Sequence, residues 1–113
     1  MSSKFEAVID KCVKQMQEQK IKVDRPLLEA VAKSLGPSLY KKDAALVATA
    51  QKGEMATIRK NFLIKKLGCE DGPKLDKAMD KATDKIGRSR RNKMRPVYYY
   101  LLVKELKKDD VFA

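Results

Sequence analysis

The residues of this 113-residue chain best suited to chemistry are cations gathered just before its last apolar segment. Positive charge at the start of a helix opposes the helix dipole. A bound phosphate would relieve that repulsion and would accept bidentate contacts from guanidinium groups. The pattern therefore predicts an anion-binding or nucleic-acid-binding site. It would consist of Arg88, Arg90, Arg91, Lys93 and Arg95, extended by Lys104, Lys107 and Lys108.

An acidic stripe just before this segment offers an alternative role for the same arginines. Asp76, Asp80 and Asp84 recur every four residues, and the neighbouring stripe is formed by lysines 77, 81 and 85. Stacked like charges are unfavourable on one helix, so the aspartates are better placed against a basic surface. The lysines beside them, and the lack of an oxygen-rich loop, argue against a metal site. Internal pairing with the Arg88–Arg95 segment and ligand binding by that segment both remain open.

Several classes of chemistry are excluded by composition. The chain has no histidine, so histidine-based acid–base catalysis is impossible, and its two cysteines are too few for a zinc site. No glycine-rich phosphate loop or nucleophile motif is present. We therefore expect no enzyme, no catalytic residue, no metal and no cofactor. Cys12 is expected to be a buried small apolar residue, whereas the sequence does not fix the reactivity of Cys69.

The net charge of +11 favours association with phosphate polymers or with acidic partners. No segment shows the polar base-reading residues of a recognisable DNA-binding motif, so contacts with nucleic acid are expected to depend weakly on sequence. The leading hypothesis is a small non-enzymatic protein that contacts nucleic-acid phosphates. The alternative is a protein-interaction module or homodimer whose basic face meets an acidic partner, and the oligomeric state stays open.

The same sequence bears on location. No apolar run approaches the roughly 18 residues that a membrane-spanning helix needs. The first six residues lack the pattern of a signal peptide. We therefore expect a cytoplasmic protein that does not engage a membrane.

Helical spacing of apolar residues dominates the rest of the chain. Phe5 to Met16 form one apolar stripe, and Asp24 before Arg25-Pro26 is a good helix start. Glycines follow several of these segments, as expected of helix ends. The patterns predict helices over residues 3–16, 24–35, 43–48, 54–67, 73–86 and 96–108.

The apolar run from Val97 to Val103, which contains three consecutive tyrosines, fits either a buried strand or a buried helix. We favour a helix because the chain has no second convincing strand to satisfy its backbone. An all-round apolar helix belongs at the centre of a bundle. The tyrosines are then expected in the core, although stacking on nucleic-acid bases is an alternative.

The predicted fold is all-α: a compact irregular bundle of five to six helices in a single domain over residues 1–113, with 107–113 as a tail open to fraying. The 97–106 helix is expected at the centre, with the 55–67 helix beside it. The predicted core comprises Phe5, Ile9, Val13, Leu28, Val31, Leu35, Ile58, Phe62, Leu75, Met79, Ile86, Leu101, Leu102 and Leu106.

Four short motifs carry a resemblance to a known family. They are Leu-Gly-Pro-Ser-Leu-Tyr at 35–40, Lys-Asn-Phe-Leu-Ile-Lys-Lys-Leu-Gly at 60–68, Asn-Lys-Met-Arg at 92–95 and Tyr-Tyr-Leu-Leu-Val at 99–103. With these motifs the chain resembles DUF2853, a bacterial family of short, basic, all-helical proteins of unknown function. The resemblance implies a compact helical fold and a bacterial cytoplasmic protein, and it implies no activity, cofactor or catalytic residue.

Overall fold

The computed structural model describes residues 3–41, 46–89 and 93–112. Within these residues the chain forms five α-helices, in agreement with the predicted all-α bundle. A π-helical segment, Arg59–Lys66, continues α3, and two short 3-10 turns occupy Gly36–Tyr40 and Asp109–Phe112. The α-helices are α1 (Ser3–Glu18), α2 (Arg25–Ser34), α3 (Lys52–Ile58), α4 (Pro73–Ile86) and α5 (Arg95–Glu105).

Helix α5 lies at the centre of the bundle. Its residues 96–103 are all buried, so every side of the helix meets another part of the protein. Helices α4 and α2 pack along it, and the π-helical segment after α3 contacts it through the ring of Phe62. The prediction of a central helix for the apolar run is confirmed.

The three consecutive tyrosines of α5 each point to a different neighbour. Tyr98 donates a hydrogen bond to the carbonyl of Met79 in α4, at 3.1 Å. The Tyr99 ring packs against Phe62, with the ring centroids 4.1 Å apart. The Tyr100 hydroxyl bonds the connection between α1 and α2. All three residues are buried, so their core role is confirmed and their rings are not available to stack on bases in this fold.

The wide turns of the π-helical segment explain a burial pattern that a regular helix would not give. In a π-helix the backbone bonds join residues five apart, as between the Leu67 amide and the Phe62 carbonyl at 2.9 Å. Spacing of five places Ile58 above Leu63, and Phe62 above Leu67. All four residues are buried against the core.

Two helices end in the same way, at a lysine in the left-handed conformation. Lys20 has φ of 57° and Lys107 has φ of 54°. After α1, the Ile21 amide bonds the Met16 carbonyl at 2.8 Å, and after α5 the corresponding bond joins residues 108 and 103 at 3.0 Å. This is the Schellman arrangement, in which glycine usually takes the left-handed position.

Twelve of the fourteen predicted core residues are buried, and the other two are less buried than predicted. Val13 and Leu35 are only partly buried, although both pack against the core. Near Val13 on α1 the buried residues are Cys12, Gln15 and Met16, and the Gln15 side chain turns inward to accept a bond from the Met94 amide. The expected burial of Cys12 is confirmed.

The predicted helix over residues 43–48 was wrong in the part that the structure describes, since residues 46–48 are not helical. Leu46 instead forms an isolated antiparallel bridge with Met94. The Val47 amide donates to the Lys93 carbonyl at 2.8 Å, where a helix would have used a carbonyl four residues earlier. Residues 43–45 lie outside the described part of the chain.

The last helix is shorter than predicted, because α5 ends at Glu105 and the chain turns at Lys107. Beyond that turn, Phe112 packs near Phe62, with ring centroids 6.4 Å apart, and Lys66 lies over the Phe112 ring. Fraying of residues 107–113 stays a prediction. Across the described ranges, no helix is long and apolar enough to cross a membrane.

Candidate nucleic-acid interface

Of the eight cations predicted to form one site, the six that the structure describes lie at two ends of α5. Arg88 follows α4 directly, and Lys93 and Arg95 lie at the start of α5. Lys104 and the two lysines after it lie at the other end, roughly 15 Å away at the helical rise of 1.5 Å per residue. Arg90 and Arg91 are outside the described residues. The structure therefore does not bring the six described cations together into one patch.

Arg88 is paired within the protein. Its guanidinium donates to the Asp84 carboxylate at 2.9 Å and to the Asp80 carboxylate at 2.6 Å. These bonds to Asp84 and Asp80 raise the pKa of Arg88. The side chain is still 56% exposed, so the pair lies at the surface. The predicted pairing between the aspartate stripe and the basic segment is thus found at this arginine.

Lys93 and Arg95 have structural roles, because their side chains bond to other parts of the protein. Lys93 is buried, and its ammonium donates to the Arg88 carbonyl at 2.9 Å. The Arg95 side chain is 12% exposed and forms an ion pair with Glu54 at 2.9 Å. Arg95 also donates to the Tyr99 hydroxyl at 2.9 Å and to the backbone of the 46–47 segment. Both cations attach the N-terminal end of α5 to neighbouring segments. This leaves their charged groups little access to a ligand.

The three cations at the far end of α5 have different surroundings. The Lys104 ammonium lies 3.1 Å from Asp109 and 3.9 Å from Asp24, and the bond to Asp109 raises the pKa of Lys104. Lys107 is exposed, and Lys108 is partly buried at the rim of a small cavity beside the start of α4. The contacts of Lys104 and Lys108 are therefore with parts of the protein other than the Arg88–Arg95 segment.

Helix α4 presents a basic surface beside its aspartates. Its aspartates are paired from one side, because Arg59 pairs with Asp76, and Arg88 pairs with both Asp80 and Asp84. The adjoining face carries four exposed lysines. Lys81 and Lys85 lie 3.3 and 3.6 Å from a single carboxylate, that of Glu105. We name this surface the α4 lysine face, and it consists of Lys74, Lys77, Lys81 and Lys85.

The signal for this face was present in the sequence. The lysine stripe was visible beside the aspartates, but spacing alone could not show which of the two stripes would be covered. That choice depends on Arg59, which lies in the π-helical segment and bonds Asp71 at 2.7 Å as well as Asp76. The role of Arg59 could not be predicted from local spacing, because its partners are 12 and 17 residues away along the chain.

The sequence matches the protein family described as "Protein of unknown function (DUF2853)" over residues 11–110. The chain belongs to this family, and the resemblance drawn from its short motifs is confirmed. None of the curated proteins is significantly similar to it.

Proposed function

We propose that this protein is a small non-enzymatic binding protein that contacts nucleic-acid phosphates through the α4 lysine face. The observation that carries the proposal is the division of charge on α4. Two arginines of neighbouring segments pair with its aspartates on one side, while among the four lysines only Lys81 and Lys85 contact a carboxylate in the described residues, that of Glu105. The surface therefore keeps an excess of positive charge where phosphates can reach it.

The dimensions of the face suit a nucleic-acid backbone. Lys74 and Lys85 are eleven residues apart on one helix, which corresponds to about 16 Å along the axis. One strand of a duplex carries a phosphate about every 3.4 Å of axis, so the face spans roughly five phosphates. The Arg88–Arg95 segment follows the C-terminal end of the same helix and would extend the contact there, through Arg90 and Arg91.

Contacts of this kind read charge rather than sequence. Lysine ammonium groups on flexible side chains position a phosphate backbone but carry no base information. The three tyrosines are in the core, so they add no base stacking. Binding should therefore be weakly dependent on sequence and strongly dependent on salt.

The test is fluorescence anisotropy of a labelled duplex DNA, titrated with protein at about 50 and 200 mM salt. The four lysine–phosphate contacts contribute about −3.6 to the log–log salt slope, which alone lowers the affinity roughly 150-fold between the two conditions. The variant Lys74→Gln plus Lys77→Gln should make the slope less steep by about 1.8. Neither lysine has an ion-pair partner in the described residues, so the fold should be retained.

A matched control removes two exposed lysines from α1, by Lys11→Gln plus Lys14→Gln, and should leave the slope unchanged. A second variant, Arg90→Gln plus Arg91→Gln, measures the contribution of the Arg88–Arg95 segment. Equal losses in the α4 and α1 variants would show a diffuse charge effect and reject the α4 lysine face. No binding at the lower salt would reject the nucleic-acid proposal and favour an acidic protein partner.

A further inference from the structure

A cavity on another part of the surface has the properties of a small-molecule site. It lies between residues 19–26, which form the connection from α1 to α2 and the start of α2, and the second half of α5, and Lys85 of α4 also lines it. Its volume of about 590 Å³ is within the usual range of ligand pockets.

The rim of this cavity is strongly basic. Five cations line it, together with one carboxylate, that of Asp24. Three of the cations have acidic partners. These pairs are Arg25 with Asp10 and Glu29, Lys85 with Glu105, and Lys104 with Asp109. In the described ranges, the ammonium groups of Lys20 and Lys22 have no such partner. The cavity therefore attracts an anion.

The wall that carries these two lysines is held in place by α5. The Tyr100 hydroxyl donates to the Lys22 carbonyl at 2.9 Å and accepts a bond from the Asp24 amide at 3.0 Å. The Schellman turn at Lys20 fixes the other end of the wall. A site whose backbone is already fixed loses little conformational freedom when a ligand binds.

The cavity also has an apolar part. Ile21, Val23, Pro26 and Leu101 contribute to its lining. Inorganic phosphate would use only the rim, because it has no apolar surface to bury. A ligand that carries a phosphate on a ring system would use both the cations and the apolar lining.

We propose that this cavity binds a small phosphate monoester with a ring-containing body, and that Lys20 and Lys22 contact the phosphate while the apolar lining packs against the body. Lys85 belongs both to the α4 lysine face and to the cavity lining, but Lys20 and Lys22, which define this site, lie on the connection between α1 and α2. The ligand differs too, since it is a small molecule rather than a polymer.

The experiment is isothermal titration calorimetry of the whole protein at about 50 mM salt with adenosine monophosphate, adenosine and inorganic phosphate as probes. Adenosine monophosphate should bind at least tenfold more tightly than either of the others. The variant Lys20→Gln plus Lys22→Gln should weaken its binding at least tenfold. The control Lys74→Gln plus Lys77→Gln removes the same charge from α4 and should change the affinity less than twofold.

A second variant, Val23→Phe, reduces the cavity volume without removing a charge, and should weaken adenosine monophosphate at least fivefold while duplex binding is kept. Circular dichroism of each variant confirms that the helices are retained. Equal weakening by the two lysine pairs, or equal affinity for adenosine monophosphate and inorganic phosphate, would overturn the proposal. Loss of duplex binding in the Lys74→Gln plus Lys77→Gln variant, with unchanged binding of adenosine monophosphate, would show that the two sites are separate.

Discussion

The hydroxyl groups of Tyr98 and Thr83 lie 3.0 Å apart in the protein interior, and both also reach the backbone carbonyl of Met79. Each hydroxyl has one proton, so the two protons can form two of the three contacts at a time. One hydroxyl donates to the other, which donates to the carbonyl. This chain joins α5 to α4 without leaving a buried donor unsatisfied.

The arrangement predicts mild and additive losses of stability on removing the hydroxyls. Tyr98→Phe and Thr83→Val each remove one hydrogen bond but leave the remaining hydroxyl with the Met79 carbonyl as its acceptor. Each substitution should cost about 1 kcal/mol, and the double variant about 2 kcal/mol, in the free energy of unfolding from urea titrations. A double variant no less stable than either single one would contradict this shared-acceptor arrangement.

Stability should fall as the pH rises above about 9. Burial raises the pKa of the Cys12 thiol to about 12, and burial likewise raises the pKa of Tyr98 to about 12. The unfolded chain therefore releases these protons at lower pH than the folded protein, which favours unfolding in alkaline solution. Each group that titrates only in the unfolded state lowers the free energy of unfolding by about 1.4 kcal/mol per pH unit.

The thiol can be separated from the tyrosine because its ordinary pKa of 9.0 is lower than the 10.0 of tyrosine. In Cys12→Ala the decline should begin nearer pH 10, as measured by urea unfolding at closely spaced pH values. The substitution also leaves a small cavity, so the slope with pH and not the absolute stability is the readout. An unchanged slope between pH 9 and 10 would show that Cys12 does not cause the decline.

Arg95 should matter for stability and not for ligand binding. Its side chain is 12% exposed, and its loss leaves Glu54 and the Tyr99 hydroxyl without their shared partner. We expect Arg95→Met to lower the free energy of unfolding by about 2 kcal/mol. Arg88→Met, which removes an exposed pair, should have a much smaller effect in the same urea titration. A larger loss from Arg88→Met would reverse the roles assigned to these two arginines.

Lys107→Gly should stabilise the protein. Lys107 has φ of 54°, a conformation that costs a residue with a side chain about 1 kcal/mol and that glycine adopts freely. The expected gain in the free energy of unfolding is about 0.5–1 kcal/mol, read from thermal unfolding at constant pH. Lys107→Ala removes the same charge but keeps the unfavourable backbone conformation, so it should give no gain. Equal stabilisation by both substitutions would point to charge as the cause.

Much of the fold could be predicted because apolar spacing and helix-capping residues are local signals. The helices at 3–18, 25–34 and 73–86 were found within a few residues of their ends. The apolar run at 97–103 was assigned to a helix by the absence of a pairing strand, and its burial on all sides bears this out. The segment at 46–48 was assigned wrongly because its backbone partner, at 93–94, is distant in the chain.

The candidate site was harder to predict than the fold. The sequence showed two charged stripes on α4, one acidic and one basic. Pairing of the acidic stripe depends on Arg59, which belongs to the separate π-helical segment. In the same way, Lys93 and Arg95 were expected at a basic surface, and their burial results from long-range contacts with Gln15, Glu54 and the 46–47 segment. Long-range packing therefore decides which cations can reach a ligand.

The position of α5 in the chain has a consequence for synthesis. The helix that contacts most of the bundle occupies residues 95–105, close to the C-terminal end of this sequence. During translation α1, α2 and α4 emerge first, and the apolar faces that pack on α5 stay uncovered until it leaves the ribosome. Exposed apolar surface of this kind favours aggregation and recognition by chaperones. The core is therefore completed only after α5 has been synthesised, and a chain that terminates before α5 has no central helix to pack around.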